Sequence, residues 1–505
     1  MVDWYDGPKR FLVISAPTGT GKSLVSIAAQ RILNKKVHTL VSTIRLQDQM
    51  KNSYKFAPVL KGRSHYECLI TDVTVDQAPC QVGFQCTRKF ECDYFLDRDS
   101  AFTSDYAVFN YQLYMHQLEF NTTFNKPDLL VCDEAHLAHL ELEKYISAEI
   151  KVRDISLEGW RRPKDASVEG LSDWALNYLA EAEQALKIAR AKIFGVTGGP
   201  AGDTIKGGGR EYKRAMSKYA RQQQLVRTLS LFYQAGLDTE EGKPWVSSQI
   251  NNLYQVRPVF VDRHTSYLFG NIPKVVLMSA TISKDDIDRL GIDPNDYEFV
   301  ETGSNYAAER RPVYYRPVGA MSAKSESIMW PDLMDEIDTI IGGHNQYGHK
   351  GIIHTVSYDR AKRIQESSQY KKQILVHDNK NKDEIIKAFK DSKVPVVLLS
   401  PSIMEGEDFP HDECRYVVIP KVPYLSLGDE VIRERIKQDP EWYGWKAMQD
   451  IIQGAGRGMR NEQDFCSVYI LDSMFEKLAE KYWDEIPQWF KDAFHYLEIS
   501  GAKGN

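Results

Sequence analysis

A strand-like apolar run, Phe11-Leu12-Val13-Ile14-Ser15, leads directly into Ala16-Pro17-Thr18-Gly19-Thr20-Gly21-Lys22-Ser23, and the helix-periodic stretch Leu24 to Leu33 follows without a break. No other feature narrows the possible folds as much. Gly19 and Gly21 allow backbone turns that a Cβ would strain, and the following helix offers the loop its unpaired N–H groups and positive dipole end. The product is an anion cradle. Thr18, Gly19, Thr20 and Gly21 wrap a triphosphate, Lys22 reaches its β- and γ-phosphates, and the Ser23 hydroxyl ligates Mg²⁺. Ala16 stands where the strict pattern has its first glycine. A strand feeding a helix across such a loop belongs to a parallel sheet, so the loop predicts an α/β fold with an ATP site at the carboxyl edge of that sheet.

Further short runs of the buried-strand type are Val37 to Ser42, Leu129 to Cys132, Val275 to Met278, Gly351 to Thr355, Val396 to Ser400 and Tyr416 to Ile419, alternating with helical patterns toward both ends of the 505 residues. So many α/β units exceed one domain and predict two parallel-sheet lobes. Residues 141–255 have a different texture, charged and helix-periodic, as in Trp174 through Arg190, and read as an insertion. Its glycines, Gly195 to Gly202 and Gly207 to Gly209, predict a surface loop.

Two acidic and hydroxyl motifs end predicted strands. Asp133-Glu134-Ala135-His136 follows Leu129 to Cys132, where carboxylates face the crevice in which α/β sheets bind ligands. Asp133 is expected to hold Mg²⁺, directly or through water, and Glu134 to orient and deprotonate an attacking water. Ser279-Ala280-Thr281 follows Val275 to Met278 and supplies hydroxyls for a relay between ATP and a polynucleotide. In the second half, Glu405-Gly406-Glu407-Asp408 follows a strand, and Gln453-Gly454-Ala455-Gly456-Arg457-Gly458-Met459-Arg460 follows a helical pattern. Arg457 and Arg460, three residues apart, are expected on one helical face and within reach of one γ-phosphate as arginine fingers. In isolation Asp-Glu is a common helix cap and Arg-x-x-Arg a common surface pair; the phosphate loop upstream gives both a partner.

Four of the seven cysteines, Cys68, Cys80, Cys86 and Cys92, fall within 25 residues. Such clustering favours a metal site over inert thiols. The tight Cys-x₂₋₄-Cys knuckles of structural zinc are absent, whereas an iron–sulfur cube needs four thiolates without them, so a cluster is favoured over zinc. Cys132, Cys414 and Cys466 read as packing residues. The net charge is −6, yet residues 151–230 hold 15 Lys and Arg against 9 Asp and Glu, a basic face on an acidic chain that suits a nucleic-acid groove or a solvated helix surface. No apolar run approaches the roughly 18–20 residues that span a bilayer. Met1 to Asp6 lack a secretory pattern, and seven cysteines in so long a chain make no disulfide framework, so a reducing cytoplasm and no membrane partner are expected.

In this order the motifs resemble those of superfamily 2 helicases, and the cysteine quartet between the phosphate loop and Asp133-Glu134-Ala135-His136 resembles the XPD/DinG iron–sulfur subfamily across nearly the whole chain. The resemblance implies two RecA-like parallel-sheet lobes. Residues 1–54, 105–142 and 255–305 would form the first, 306–505 the second, 55–104 an iron–sulfur domain and 143–254 a helical arch closing over single-stranded DNA. It implies that Thr43, with Gln47 and Gln49, grips the DNA backbone, that Lys61 to Cys68 and Asn110-Tyr111 bracket the cluster domain, and that His136, Ser279, Thr281, Glu405, Gly406 and Asp408 couple ATP to DNA. Gln453, Arg457 and Arg460 match the final motif. The implied cofactors are ATP, Mg²⁺ and a 4Fe-4S cluster. The implied activity is 5′→3′ translocation on single-stranded DNA by a monomer, with unwinding of 5′-tailed duplexes or R-loops. A single-strand-stimulated translocase, or an ATP-switched nucleic-acid-binding component of a larger complex, is the alternative. The family often has Asp followed by Arg where this chain has Asp472-Ser473-Met474.

Overall fold

The computed structural model describes residues 1–83, 85–121, 123–197, 209–401, 409–459 and 463–496. Glu405, Gly406, Asp408 and Arg460 lie outside the described residues, as does most of the predicted glycine loop.

Two all-parallel sheets carry the chain, as the strand runs predict. Their strands are, in the first, β1 (Phe11–Ser15), β2 (Val37–Val41), β3 (Tyr106–Asn110) and β4 (Leu129–Asp133); then β5 (Ala148–Lys151), β6 (Trp245–Ile250) and β7 (Leu253–Pro258), which form a small sheet of their own; then β8 (Lys274–Ser279) and β9 (Tyr297–Glu301), which return to the first. The second sheet uses β10 (Val313–Gly319), β11 (Gly351–His354), β12 (Ile374–Val376), β13 (Val397–Ser400), β14 (Tyr416–Ile419), β15 (Ser467–Asp472) and β16 (Phe494–Tyr496). The orders are β3-β2-β4-β8-β1-β9 and β12-β13-β11-β14-β15-β10-β16. Both are α/β lobes.

The strands read as unbroken apolar runs because both faces of each sheet are covered. Alternate residues of the first sheet enter opposite cores: Val13, Leu40, Leu130 and Leu277 on one side, Leu12, Val131, Val276 and Met278 on the other. In the second sheet Ile352, Leu398 and Val417 face one core and Ile353, Leu399 and Val418 the other. Each such side chain contributes about 1.5–3 kcal/mol by leaving water.

The insertion contains two long antiparallel helices, Val168–Thr197 and Gly209–Glu240. Gly195 belongs to the first helix and Gly209 to the second, so the predicted loop is shorter than its glycines suggest. The insertion is not wholly helical: β5, β7 and β6 form a three-stranded antiparallel sheet at its root. Polar residues such as Ser247, Ser248 and Gln255 interrupt the apolar alternation there and conceal these strands. Among the described residues no helix is long and apolar enough to cross a membrane.

Candidate nucleotide site between the lobes

The strand order assembles the first lobe's motifs. β2, β4, β8 and β1 are neighbours and run parallel, so whatever follows each of them emerges at one edge. Thr43, Asp133, Ser279 and the loop Ala16 to Ser23 therefore stand side by side. Registers Ser15 to Ser279 and Asp133 to Met278 hold the row level.

The loop turns through left-handed conformations at Gly19 and Gly21, as a glycine pair there requires, and the helix Lys22–Leu33 starts behind it. Lys22 Nζ donates to the carbonyls of Ala16 (2.9 Å) and Pro17 (3.0 Å), so the ammonium is held over the loop. Asp133 is buried at the end of β4, and its Oδ1 accepts from the backbone N–H of Glu134 at 3.0 Å. The buried Tyr111 hydroxyl donates to the Asp133 carbonyl at 2.8 Å, fixing the strand end from behind. Burial, then the nearby Glu134 carboxylate, pushes the Asp133 carboxyl up to about 7, against the pull of Lys22. A buried carboxyl with a second carboxylate beside it ionises reluctantly. Glu134 itself adopts a left-handed backbone, φ 48°, which is strained for a residue with a Cβ.

A polar chain then crosses the site. Ser279 Oγ lies 3.3 Å from Glu134 Oε2 and 2.7 Å from His136 Nδ1. His136 is buried, and burial drives its pKa down to about 3, so it is a neutral ring at physiological pH. The Thr281 N–H donates to Ser279 Oγ at 3.3 Å, and Gln453 Nε2 of the second lobe donates to Thr281 Oγ1 at 2.9 Å. Gln449, one helical turn before Gln453, donates to the Thr281 carbonyl (3.0 Å) and to Asp286 (2.7 Å). Thr18 Oγ1 donates to the Gly456 carbonyl at 3.0 Å, which sets the buried Arg457 beside the phosphate loop; its charge is felt by His136.

Arg457 does not sit on a helical face. The helix Pro440–Ala455 ends before it, because Gly454, Gly456 and Gly458 weaken the last turn, and Arg457 stands in the turn beyond. Two residues with no motif to announce them complete the site. Tyr306 donates to the Gly19 carbonyl at 3.0 Å and packs so closely that a Cβ on Gly19 would meet its ring. Gln449 shares a face with Gln453 at a spacing of four, a signal that was present in the sequence.

Thr43 caps the helix Ile44–Ser53, its Oγ1 accepting from Leu46 N at 3.2 Å. Gln47 is buried and donates to the Leu60 carbonyl at 2.8 Å, so it braces the start of the cysteine segment. Asn110 caps the helix Tyr111–Phe120. Asp472 is also a brace: its carboxylate accepts from the backbone of Met321, Val422 and Met474 at 3.0 Å each.

Cys68, Cys80, Cys86 and Cys92 are free thiols on loops and short 3₁₀ turns. They are neighbours. Burial pushes the Cys80 thiol up to about 11, and Cys68 and Cys86 add to the rise; Cys86 is raised first by burial and then by Cys68 and Cys92. Among the described residues no three His, Cys, Asp or Glu side chains converge at metal-ligand geometry. The donor chemistry fits an iron–sulfur cube: four thiols on one short segment, with those of Cys80 and Cys86 raised by burial and by their cysteine neighbours. A cleft of about 490 Å³ lies between this segment, the first lobe and the insertion, lined by Arg63, His116, Lys144, Tyr145, Gln224 and Arg227.

The profile of the type III restriction enzyme res subunit matches residues 3–158, and that of the helicase C-terminal domain matches residues 345–493, one per lobe. Over nearly its full length the chain superposes on a solved structure titled XPD helicase, with TM-score 0.61, 16% identity, and 97% and 96% of the two chains covered. The chain carries a helicase C-terminal domain in its second lobe and has the fold of that XPD helicase structure. A second solved structure, that of S. tokodaii Xpd4, superposes with TM-score 0.58 at 14% identity, covering 98% of this chain and 97% of that one. Among curated proteins, the XPD helicase subunit of general transcription and DNA repair factor IIH from Dictyostelium discoideum is 27% identical over 110 residues, 20% of this chain and 14% of that protein. The regulator of telomere elongation helicase 1 homolog from Caenorhabditis briggsae is 26% identical over 106 residues, 18% of this chain and 10% of that protein. The matched segments thus span about a seventh or less of those relatives.

Proposed function

We propose that the chain is an ATP-driven motor that translocates 5′→3′ on single-stranded DNA and unwinds 5′-tailed duplexes or R-loops. One observation carries this reading: the hydrogen-bonded path Glu134, Ser279, Thr281, Gln453, with Thr18 on Gly456, joins the ATP-facing edge of one lobe to the final motif of the other. Such a path makes lobe spacing sensitive to what the phosphate loop holds.

In this reading Thr18, Gly19, Thr20, Gly21 and Lys22 bind the triphosphate, and Ser23 and Asp133 would hold Mg²⁺, which would supply neutralisation of phosphate charge. Glu134 takes a proton from the attacking water, and its contact with Ser279 orients it. Gln453 and Arg457 sense the γ-phosphate, Arg457 stabilising charge as the bond breaks, and Arg460 is assigned as its companion. His136, Ser279 and Thr281, with Glu405, Gly406 and Asp408, couple the state of the site to the DNA path, and Thr43 begins the segment that grips the DNA backbone. The cleft lined by Arg63, Lys144 and Arg227 has the charge and the aromatic neighbour Tyr145 that non-specific single-strand binding requires.

Residues 55–104 are assigned as the cluster domain and 143–254 as the arch. Cys68, Cys80, Cys86 and Cys92 would hold a 4Fe-4S cluster, whose contribution is to organise that domain. Strand displacement on 5′-tailed and 3′-tailed duplexes tests the whole. Displacement from the 5′ tail alone is expected. If neither tail supports displacement while single strands still stimulate ATP hydrolysis, the protein is a translocase or switch.

A further inference from the structure

The lobes meet a second time, at the root of the insertion. Four charged side chains from three elements join there. Glu143, on the helix Ala138–Ile146 that follows β4, is buried and accepts from Arg257 on β7 (Nε 3.2 Å, Nη2 2.7 Å) and from Arg435 of the second lobe (3.0 Å). Arg257 also donates through Nη1 to Asp429 of the second lobe at 2.6 Å. Arg435 donates to the Val259 carbonyl just beyond β7 at 2.8 Å and stacks its guanidinium on Trp442. One guanidinium, Arg257, thus holds at once a carboxylate where the chain enters the insertion and a carboxylate of the second lobe, and it sits on the strand by which the chain leaves the insertion.

The chemistry of this contact suits a movable joint better than a glue. Well-packed apolar residues would dock the helix Glu430–Gln438 as firmly or more so, because burying Glu143 and Arg435 costs solvation that their pairing mainly recovers. Forked charge pairs, by contrast, are satisfied in one relative position only. A displacement of Asp429 must turn Arg257 or abandon it, and β7 is paired with both β5 and β6. The joint borders a cavity of about 560 Å³ that Leu140, Leu425 and Lys446 also line, so the lobes have room to shift there. At its other end the insertion rests on the cysteine segment: Tyr212 donates to the Gln77 carbonyl at 2.7 Å, and Val82 packs among Ala189, Ile193, Tyr212 and Met216.

We infer that Glu143, Arg257, Asp429 and Arg435 form a coupling joint, which converts closure of the lobes over nucleotide into a change at the root of the helical insertion. This rests on the reading of the phosphate loop as an ATP site. Arg257 and Asp429 are positioning residues in it and touch neither nucleotide nor the phosphate loop.

Hydrogen exchange on the full chain, with and without a non-hydrolysable ATP analogue and Mg²⁺, tests the joint. Analogue is expected to slow exchange at the amides of residues 19–26 and to alter it at β7 and in the two long helices. Asp429→Asn removes the charge while keeping the cap that Asp429 gives Val431, since Asn caps as well as Asp. Arg257→Gln removes the other partner. Each is expected to reduce the insertion's response by about fivefold or more, the low end of an allosteric coupling, with protection of residues 19–26 retained. The double variant is expected to do no more than either single one, because both break the same link. Asp412→Asn, which removes the Arg415 partner elsewhere in the second lobe, is expected to leave the response intact. A protected phosphate loop with an insertion that never responds, or that responds equally in the variants, overturns the joint and spares the ATP site. An unprotected loop overturns both.

Discussion

Asp133→Asn separates electrostatic cost from function. In the nucleotide-free protein the Asp133 carboxyl, ordinarily at 3.8, is driven to about 7, first by burial and then by Glu134. Between those two values the folded protein holds a proton that the unfolded chain has released, so local stability falls as pH rises, by about 1.4 kcal/mol per pH unit, and the loss is complete above pH 7. The whole effect is about 4 kcal/mol, of which roughly 2 kcal/mol accrues between pH 5.5 and 8.5. Asparagine keeps an acceptor for the Glu134 N–H and carries no charge, so it escapes this cost. The opening free energy of the β4 amides, measured by hydrogen exchange in EDTA without nucleotide, should therefore be higher in the variant, with an advantage about 2 kcal/mol larger at pH 8.5 than at pH 5.5. Mg²⁺-dependent ATP hydrolysis should be lost at both. A variant advantage that does not change with pH, or a variant less stable than wild type at pH 8.5, would refute the account of a buried Asp133 carboxylate raised by burial and by Glu134.

Lys22→Ala and Glu134→Gln should both abolish turnover, the first by losing nucleotide binding and the second without losing it; equilibrium binding of a fluorescent ATP analogue distinguishes them. Arg457→Ala should lower hydrolysis by on the order of 10³-fold with little change in ATP affinity, and a near-normal rate would return Arg457 to a packing role. Anaerobically purified protein should be brown, with iron and sulfide near four per chain, and Cys80→Ser should bleach it and stop unwinding while single-strand-stimulated hydrolysis persists in part. A colourless anaerobic preparation with stoichiometric zinc would sink the cluster and leave the motor reading standing.

Local sequence determined the strand–loop–helix at Ala16 to Ser23, the two parallel-sheet lobes and the sites where carboxylates and hydroxyls leave their strands. Those features depend on near neighbours: glycines that permit positive φ, apolar runs covered on both faces, and side chains placed by the end of a strand. Tertiary structure alone decided which strand ends stand together, because the order β2-β4-β8-β1 joins segments up to hundreds of residues apart. It also decided that Tyr306 pins Gly19, that Gln449 joins Gln453 against Thr281, and that Arg457 leaves its helix. The strands at the insertion's root and the quartet of Glu143, Arg257, Asp429 and Arg435 were illegible for the same reason. Their residues are ordinary polar and charged side chains in sequence, and they acquire a role only when partners 114 to 292 positions away are brought within hydrogen-bond reach, where low dielectric makes pairing strong and its absence costly.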